Sequence, residues 1–258
     1  MPDSRADGLD WLRARPIAHR GLHDCGQPDA DVPENSLAAV EAAAAAGYPI
    51  ELDVHLLADG QVAVFHDVDL ERMTGVPGPI TARARADLSH LRLRGGAHQI
   101  PTLAETLELV AGRVPVLIEV KTPRRGVGPL ERATWRLLAG YRGAYAVQSF
   151  NPWAVAWFRV HAPHIPRGLV AYDFGDEPRL SALERLALRG LAHLPICAPH
   201  FIAYALASLP HPAPGRTRAR GLPLLAWTVR SEPERARAAT LADNVIFEGF
   251  APDPDALR

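Results

Sequence analysis

Short runs of consecutive apolar residues alternate along this chain with longer stretches in which apolar positions recur every three or four residues. The short runs fall at residues 16–20 (PIAHR), 49–54 (PIELDV), 62–66 (VAVFH), 114–120 (VPVLIEV), 144–148 (AYAVQ), 167–171 (RGLVA), 194–198 (LPICA), 222–228 (LPLLAWT) and 244–247 (NVIF). They read as strands, and the stretches 36–46, 103–111, 130–141, 152–161, 180–189 and 233–241 read as helices. Ser36, Thr102, Asn151, Ser181 and Ser231 stand at the starts of helical stretches, where their side-chain oxygens can accept a free backbone N–H. Apolar strands alternating with amphipathic helices predict a parallel sheet covered by helices.

Counting separates the two main parallel architectures. With 62–66 taken as a local extension after the second strand, eight β segments remain, which predicts a (β/α)8 TIM barrel. No G-x-G-x-x-G follows the first strand, so a dinucleotide-binding sheet is disfavoured. Residues 67–100 contain Gly75, Gly78, Gly95 and Gly96 and little periodicity. They are expected to form a short insertion after the second strand on the catalytic side, with one short helix near 84–91. No low-complexity linker divides the chain, so residues 1–258 are expected to form a single domain.

The composition agrees. A chain of 258 residues, 48% hydrophobic and 22% charged, suits an α/β barrel as one domain. The mean hydropathy of -0.05 and the lack of an apolar run of about 18 residues exclude a spanning helix and stable membrane insertion. The opening MPDSRADGLDWLRARP has no apolar core of a secretory signal, and a cytoplasmic enzyme is the expectation. A net charge of -1 offers no general attraction to nucleic acid or anionic membrane. Two cysteines, Cys25 and Cys197, are too few for a disulfide framework or a multi-cysteine metal site. The run 216–220 (RTRAR) reads as a solvated helix face. Nothing in the pattern specifies an oligomeric state. Of 28 basic residues only Lys121 is a lysine, so a compact ammonium at that position stands out.

In a barrel, chemistry sits at the carboxyl ends of the strands. The first strand ends in His19-Arg20-Gly21, and the second carries Glu51 and Asp53, two apart and therefore on one face. The extension runs into His66-Asp67, and the third full strand carries Glu119 and Lys121. The fourth ends Gln148-Ser149-Phe150 and the seventh Trp227-Thr228. Charges on buried strands are costly unless paired or bound to metal. Glu51, Asp53 and Glu119 form a hard oxygen set suited to Mg²⁺ or Ca²⁺. His19 and His66 could serve as general acid and base, and Arg20 and Lys121 suit a phosphate. His55 is read as structural and as facing away from Asp53, and Cys25 as a residue without a partner base. The set points to phosphoryl transfer rather than acyl or hydride transfer.

Taken together, HRG (19–21), PEN (33–35), ELDV (51–54), HD (66–67), EVK (119–121), QSF (148–150) and WTV (227–229) resemble the bacterial glycerophosphodiester phosphodiesterase family. The motifs stand in that family's order from residue 16 to about 250. The resemblance implies a TIM barrel that hydrolyses glycerophosphodiesters to glycerol 3-phosphate and an alcohol with a divalent cation. It maps the acid/base pair to His19 and His66 and the metal ligands to Glu51, Asp53 and Glu119. Arg20 and Lys121 fall at phosphate contacts, Asn35 beside metal and phosphate, Gln148 at a substrate-side position and Trp227 at the glycerol side. One departure is clear. The family's terminal strand often reads I-I-T-D-x-P, whereas this chain has VIFEGF (245–250), leaving Glu248 to stand in for the aspartate. The alternative substrate is a lysophospholipid or another phosphodiester. A metal-dependent isomerase or aldolase and a catalytically silent binding protein are the readings from other classes.

Overall fold

Alternate residues of a strand face opposite sides, and here the two sides pack into two different cores. The computed structural model describes residues 8–24, 32–123, 125–178 and 180–255; Cys25 lies outside the described residues. Its strands are β1 (Ile17–Ala18), β2 (Ile50–Leu56), β3 (Val62–Val64), β4 (Val116–Val120), β5 (Tyr145–Ser149), β6 (Arg167–Ala171), β7 (Phe201–Ala205), β8 (Leu224–Val229) and β9 (Asn244–Phe247). All but β3 run parallel, and β1 pairs with both β2 and β9, which closes the barrel. The helices are α1 (Trp11–Ala14), α2 (Leu37–Ala45), α3 (Glu71–Thr74), α4 (Arg85–Leu88), α5 (Leu103–Val110), α6 (Pro129–Leu138), α7 (Pro152–His161), α8 (Ala182–Arg189), α9 (Leu194–Cys197), α10 (Pro212–Ala219) and α11 (Glu232–Leu241). This is the (β/α)8 architecture expected from the pattern. No described helix is long and apolar enough to cross a membrane.

Ile17, Leu117, Ala146, Val170, Phe201, Ala203, Leu225 and Ile246 form the inner core of the barrel. Their strand neighbours Ile50, Val116, Ile118, Val147, Leu169, Ile202 and Val245 point outward and pack under the helices. Leu9 and Leu12 join the inner core from below. Asn244 donates to the carbonyls of Leu12 and Arg15 at 2.8 and 2.6 Å, which fixes this plug to the first residue of β9. All five expected caps accept a backbone N–H: Ser36 from Ala39, Thr102 from Glu105, Asn151 from Trp153, Ser181 from Glu184 and Ser231 from Glu234.

Two elements differ from expectation. The expected sixth strand, residues 194–198, is instead helix α9 (Leu194–Cys197) with Ala198 beyond its end, and β7 follows at Phe201–Ala205. A short apolar run does not distinguish strand from helix, and Pro195 sits in the first turn, where a missing N–H costs nothing. β3 is more than an extension of β2. It turns back antiparallel, pairing Val54 with Val64, and Phe65 N–H donates to the Asp53 carbonyl at 2.9 Å. The hairpin thereby returns His66 to the level of Asp53. Beyond it, Leu70, Met73, Ile80, Leu88, Leu93 and Ile100 pack on Leu57, Ala63 and Phe65 as a separate small core. The short helix expected near 84–91 is α4.

At Gly168 of β6 a Cβ would overlap the ring of Phe201, a filler of the inner core. Gly168→Ala is expected to lower the unfolding free energy by about 1–3 kcal/mol through overpacking. Urea unfolding checks this, and an unchanged midpoint would contradict the packing described.

Candidate active site

Strand register assembles the polar residues at one rim. Asp53 pairs with Glu119 across β2 and β4, and Glu119 with Gln148 across β4 and β5. Glu51, Asp53 and Glu119 are buried residues, at 1%, 0% and 6% exposure. Each offers an oxygen within 4.8 Å of the others. Three anions this close in low dielectric repel strongly, and the surrounding donors answer that repulsion. Lys121 Nζ lies 2.9 Å from Asp53 Oδ1 and 2.6 Å from Glu119 Oε1. Arg20 Nε lies 3.2 Å from Asp53 Oδ2. Asn35 Nδ2 donates to Asp53 Oδ2 at 2.9 Å, and its Oδ1 accepts the Asp53 N–H at 3.3 Å. Glu51 accepts from the Arg20 N–H and from Gln148 Nε2, both at 3.3 Å.

The protonation pattern follows this distribution. Burial pushes Glu51 well above the usual carboxylate range, with Asp53 and Glu119 adding to the rise. Glu119 is raised by burial and by Asp53, against the pull of Lys121. For Asp53 burial acts upward too, but Lys121 and Arg20 outweigh it and hold the carboxyl far down. A hard trio of buried oxygens, two of them with raised proton affinity, has the donor chemistry of an oxygen-ligated divalent cation site.

Arg20 and Asn35 both adopt φ 57°, a left-handed conformation that costs a non-glycine residue free energy. The Asn35 N–H donates to the Arg20 carbonyl at 2.9 Å, so the two strained residues hold each other. Between β1 and α2 the chain passes so close that a Cβ on Gly21, at φ +80°, would collide with Ala39. The third residue of the HRG motif therefore has a packing reason to be glycine.

Each histidine is oriented by a carboxylate at Nδ1. His19 Nδ1 donates to Glu248 Oε2 at 2.5 Å, and Arg230 Nε donates to the other oxygen of Glu248 at 2.7 Å. His66 Nδ1 donates to Asp67 Oδ1 at 2.7 Å, and Arg72 Nε donates to Asp67 Oδ2. In both cases Nε2 is the ring nitrogen not engaged by that carboxylate; that of His19 lies 3.9 Å from Glu51 Oε2. Burial lowers the pKa of both rings, with Glu248 opposing the fall at His19 and Asp53 opposing it at His66. The lowered pKa favours the neutral ring, whose Nε2 can accept a proton.

The ten residues singled out from the sequence are mostly joined by direct contacts. Trp227 stands apart from the charges: it packs on the inner core and on Phe150, ring centroids 5.4 Å apart. The sequence reading placed His55 on the face opposite Asp53, yet two-residue alternation puts both on the same face. His55 Nε2 donates to the His66 carbonyl at 3.1 Å and so pins the end of the hairpin. Glu34 was passed over. It accepts from Arg20 Nη1 at 2.9 Å and from both terminal nitrogens of Arg72 at 3.1 and 2.6 Å. Its place inside PEN, beside Asn35, was the signal available.

A family model described as the glycerophosphoryl diester phosphodiesterase family matches residues 19–250. The chain is 33% identical over 173 residues to a glycerophosphodiester phosphodiesterase of Bacillus altitudinis, covering 63% of this chain and 68% of the relative. It is 30% identical over 243 residues to the Bacillus subtilis (strain 168) protein YhdW, provisionally named a glycerophosphodiester phosphodiesterase, covering 90% and 93%. Among solved structures, an Oleispira antarctica phosphodiesterase in complex with the product sn-glycerol-3-phosphate superposes with a TM-score of 0.76 at 23% identity, covering 95% and 96%. A Thermotoga maritima glycerophosphodiester phosphodiesterase gives 0.68 at 24%, covering 90% and 92%. At these identities the two structures speak to the fold.

Burial pushes Glu248 up, but its bond to His19 and the charges of His19 and Arg230 outweigh it and hold the carboxyl at about 2, below its ordinary 4.5. A depressed carboxylate stabilises the fold above its unfolded value and loses that contribution as pH falls from about 4.5 towards 2. Glu248→Gln should therefore lose stability at neutral pH and show a shallower acid limb than the wild type. Thermal melts from pH 7 to 2.5 check it, and parallel curves would contradict the assignment.

Proposed function

This chain belongs to the glycerophosphoryl diester phosphodiesterase family, and from that membership we propose that it hydrolyses glycerophosphodiesters to glycerol 3-phosphate and an alcohol by histidine acid/base chemistry at the barrel rim. The observation that carries the proposal is the convergence of two carboxylate-oriented histidines, two cations and a buried acidic trio on one rim. The donor set of Glu51, Asp53 and Glu119 fits Mg²⁺ or Ca²⁺. Such an ion supplies Lewis-acid polarisation of a phosphate oxygen.

The remaining work falls to side chains of this protein. Arg20 and Lys121 neutralise the diester charge as it concentrates in the transition state. Asn35 and Gln148 orient the carboxylates and bind substrate, and Trp227 offers an apolar wall for glycerol. One histidine, neutral, takes a proton from the attacking hydroxyl at Nε2; the other enters as the imidazolium, protonated at Nε2 as well as Nδ1, and gives its Nε2 proton to the departing alkoxide. The carboxylate at each Nδ1 keeps the imidazole in the required tautomer and stabilises the imidazolium. The whole chain acts as one catalytic domain with residues 67–100 as its insertion. The composition supports a cytoplasmic setting and a small-molecule substrate, not nucleic acid.

Purified protein should release glycerol 3-phosphate from glycerophosphocholine and glycerophosphoethanolamine, stop on chelation, and recover with Mg²⁺ or Ca²⁺. His19→Ala and His66→Ala should each lower kcat by about 10²–10⁴-fold. No release with metal present would overturn the substrate class, and a small loss at both histidines would overturn their roles.

A further inference from the structure

Arg72 lies on α3, outside the barrel strands, and its side chain is 49% exposed. An arginine on a short surface helix is ordinarily a solvated charge. This one makes three bonds to two carboxylates. Nε donates to Asp67 Oδ2, Nη1 to Glu34 Oε2 at 3.1 Å, and Nη2 to Glu34 Oε1 at 2.6 Å. Asp67 holds Nδ1 of His66 through its other oxygen at 2.7 Å, and Glu34 also accepts from Arg20 Nη1 at 2.9 Å. A single guanidinium thus stands between the histidine on the hairpin and the arginine on the β1 loop. Its planar fork satisfies Glu34 bidentately while the third nitrogen reaches Asp67, a geometry that an ammonium cannot reproduce.

We propose that Arg72 is a positioning residue for the reaction, fixing His66 through Asp67 and Arg20 through Glu34 so that both face the same phosphate. This rests on the diesterase reading above. Removing Arg72 frees one carboxylate oxygen of Asp67, so that Asp67 can rotate and His66 loses its fixed tautomer and direction. It also leaves Glu34 with one guanidinium where it had two, and Arg20 turns towards the excess charge. Both effects act on chemistry more than on barrel stability, because Arg72 belongs to none of the three hydrophobic cores.

A comparison within the same segment separates this role from mere attachment. Arg94 also clamps residues 67–100 to the β1 loop, with Nη1 and Nη2 donating to Asp24 at 2.8 and 2.6 Å. Among the described residues Asp24 bonds with His23 and Arg94 and makes no bond to His66, Arg20 or Glu34.

The test is glycerol 3-phosphate release by the full chain, with kcat and KM determined for Arg72→Ala, Arg72→Lys and Arg94→Ala. Arg72→Ala should lose about 10–100-fold in kcat, the range found when a residue orienting an active group is removed. Millimolar guanidinium should restore part of that loss, since the site is half-exposed, and ammonium should not. Arg72→Lys should remain below wild type, and Arg94→Ala should keep wild-type kcat. An unchanged kcat in Arg72→Ala, an equal loss in Arg94→Ala, or a loss that guanidinium does not relieve overturns the proposal. If Arg72→Ala does not fold, Arg72→Lys decides it, and wild-type kcat there overturns it. Imidazole ¹⁵N spectra give a readout independent of turnover: His66 should be protonated at Nδ1 in the wild type and a tautomer mixture in the variant. If the wild type releases no product, the diesterase reading fails, and the spectra still decide the role of Arg72.

Discussion

Mutual repulsion among Glu51, Asp53 and Glu119 is the constraint around which this barrel rim is built. Parallel register places Asp53 opposite Glu119, and alternation places Glu51 on the same inner face, so the three anions cannot be separated without dismantling β2 and β4. Burial denies them water, and positive charge and hydrogen-bond donors have to be brought to them instead. The single lysine of the chain, Arg20, the Asn35 amide and the Gln148 amide all answer this demand. Even the unfavourable backbone at Arg20 and Asn35 becomes intelligible, because it is what aims a guanidinium and an amide at Asp53 from a loop.

The charge then radiates outward in two similar arms. On one side His19 leans on Glu248 and Glu248 on Arg230; on the other His66 leans on Asp67 and Asp67 on Arg72. In each arm an imidazole is fixed by a carboxylate and the carboxylate by an arginine that reaches solvent. One arm joins two distant parts of the chain, with His19 just after β1 and Glu248 just after β9, and the other lies within residues 66–72 beyond the returning hairpin. The common form suits the acid/base roles proposed for the two rings, because a ring nitrogen that exchanges protons needs its other nitrogen committed.

Much of this was readable before the coordinates. Seven of the eight barrel strands lie where apolar runs predict them, because a strand buried on both faces leaves a continuous signature. The sixth was displaced because LPICA and FIAYA are both short apolar runs, and only packing decides that the first bends into α9. At the site, residues on strands were found by spacing: Glu51 with Asp53, Glu119 with Lys121. Glu34, Arg72 and the face of His55 were missed or misread. The Glu34–Arg72 pair spans 38 positions between a loop and a surface helix, where no periodicity marks a polar contact. His55 needed no coordinates, only the two-residue alternation already applied to Glu51 and Asp53.

The seam between β1 and β9 carries more than a few backbone bonds. His19 and Glu248 are 229 positions apart and meet only across that seam. Translation delivers the chain amino end first, so the histidine, its neighbouring arginine and all three acidic residues of the rim emerge long before β9 and the Glu248 that follows it. A nascent or prematurely terminated chain can pair the strands it already has. It cannot orient its first histidine, and β1 is left with an open edge. Docking of β9 on β1 and orientation of His19 are in this way the same event, and the ring closes chemically at the moment it closes mechanically.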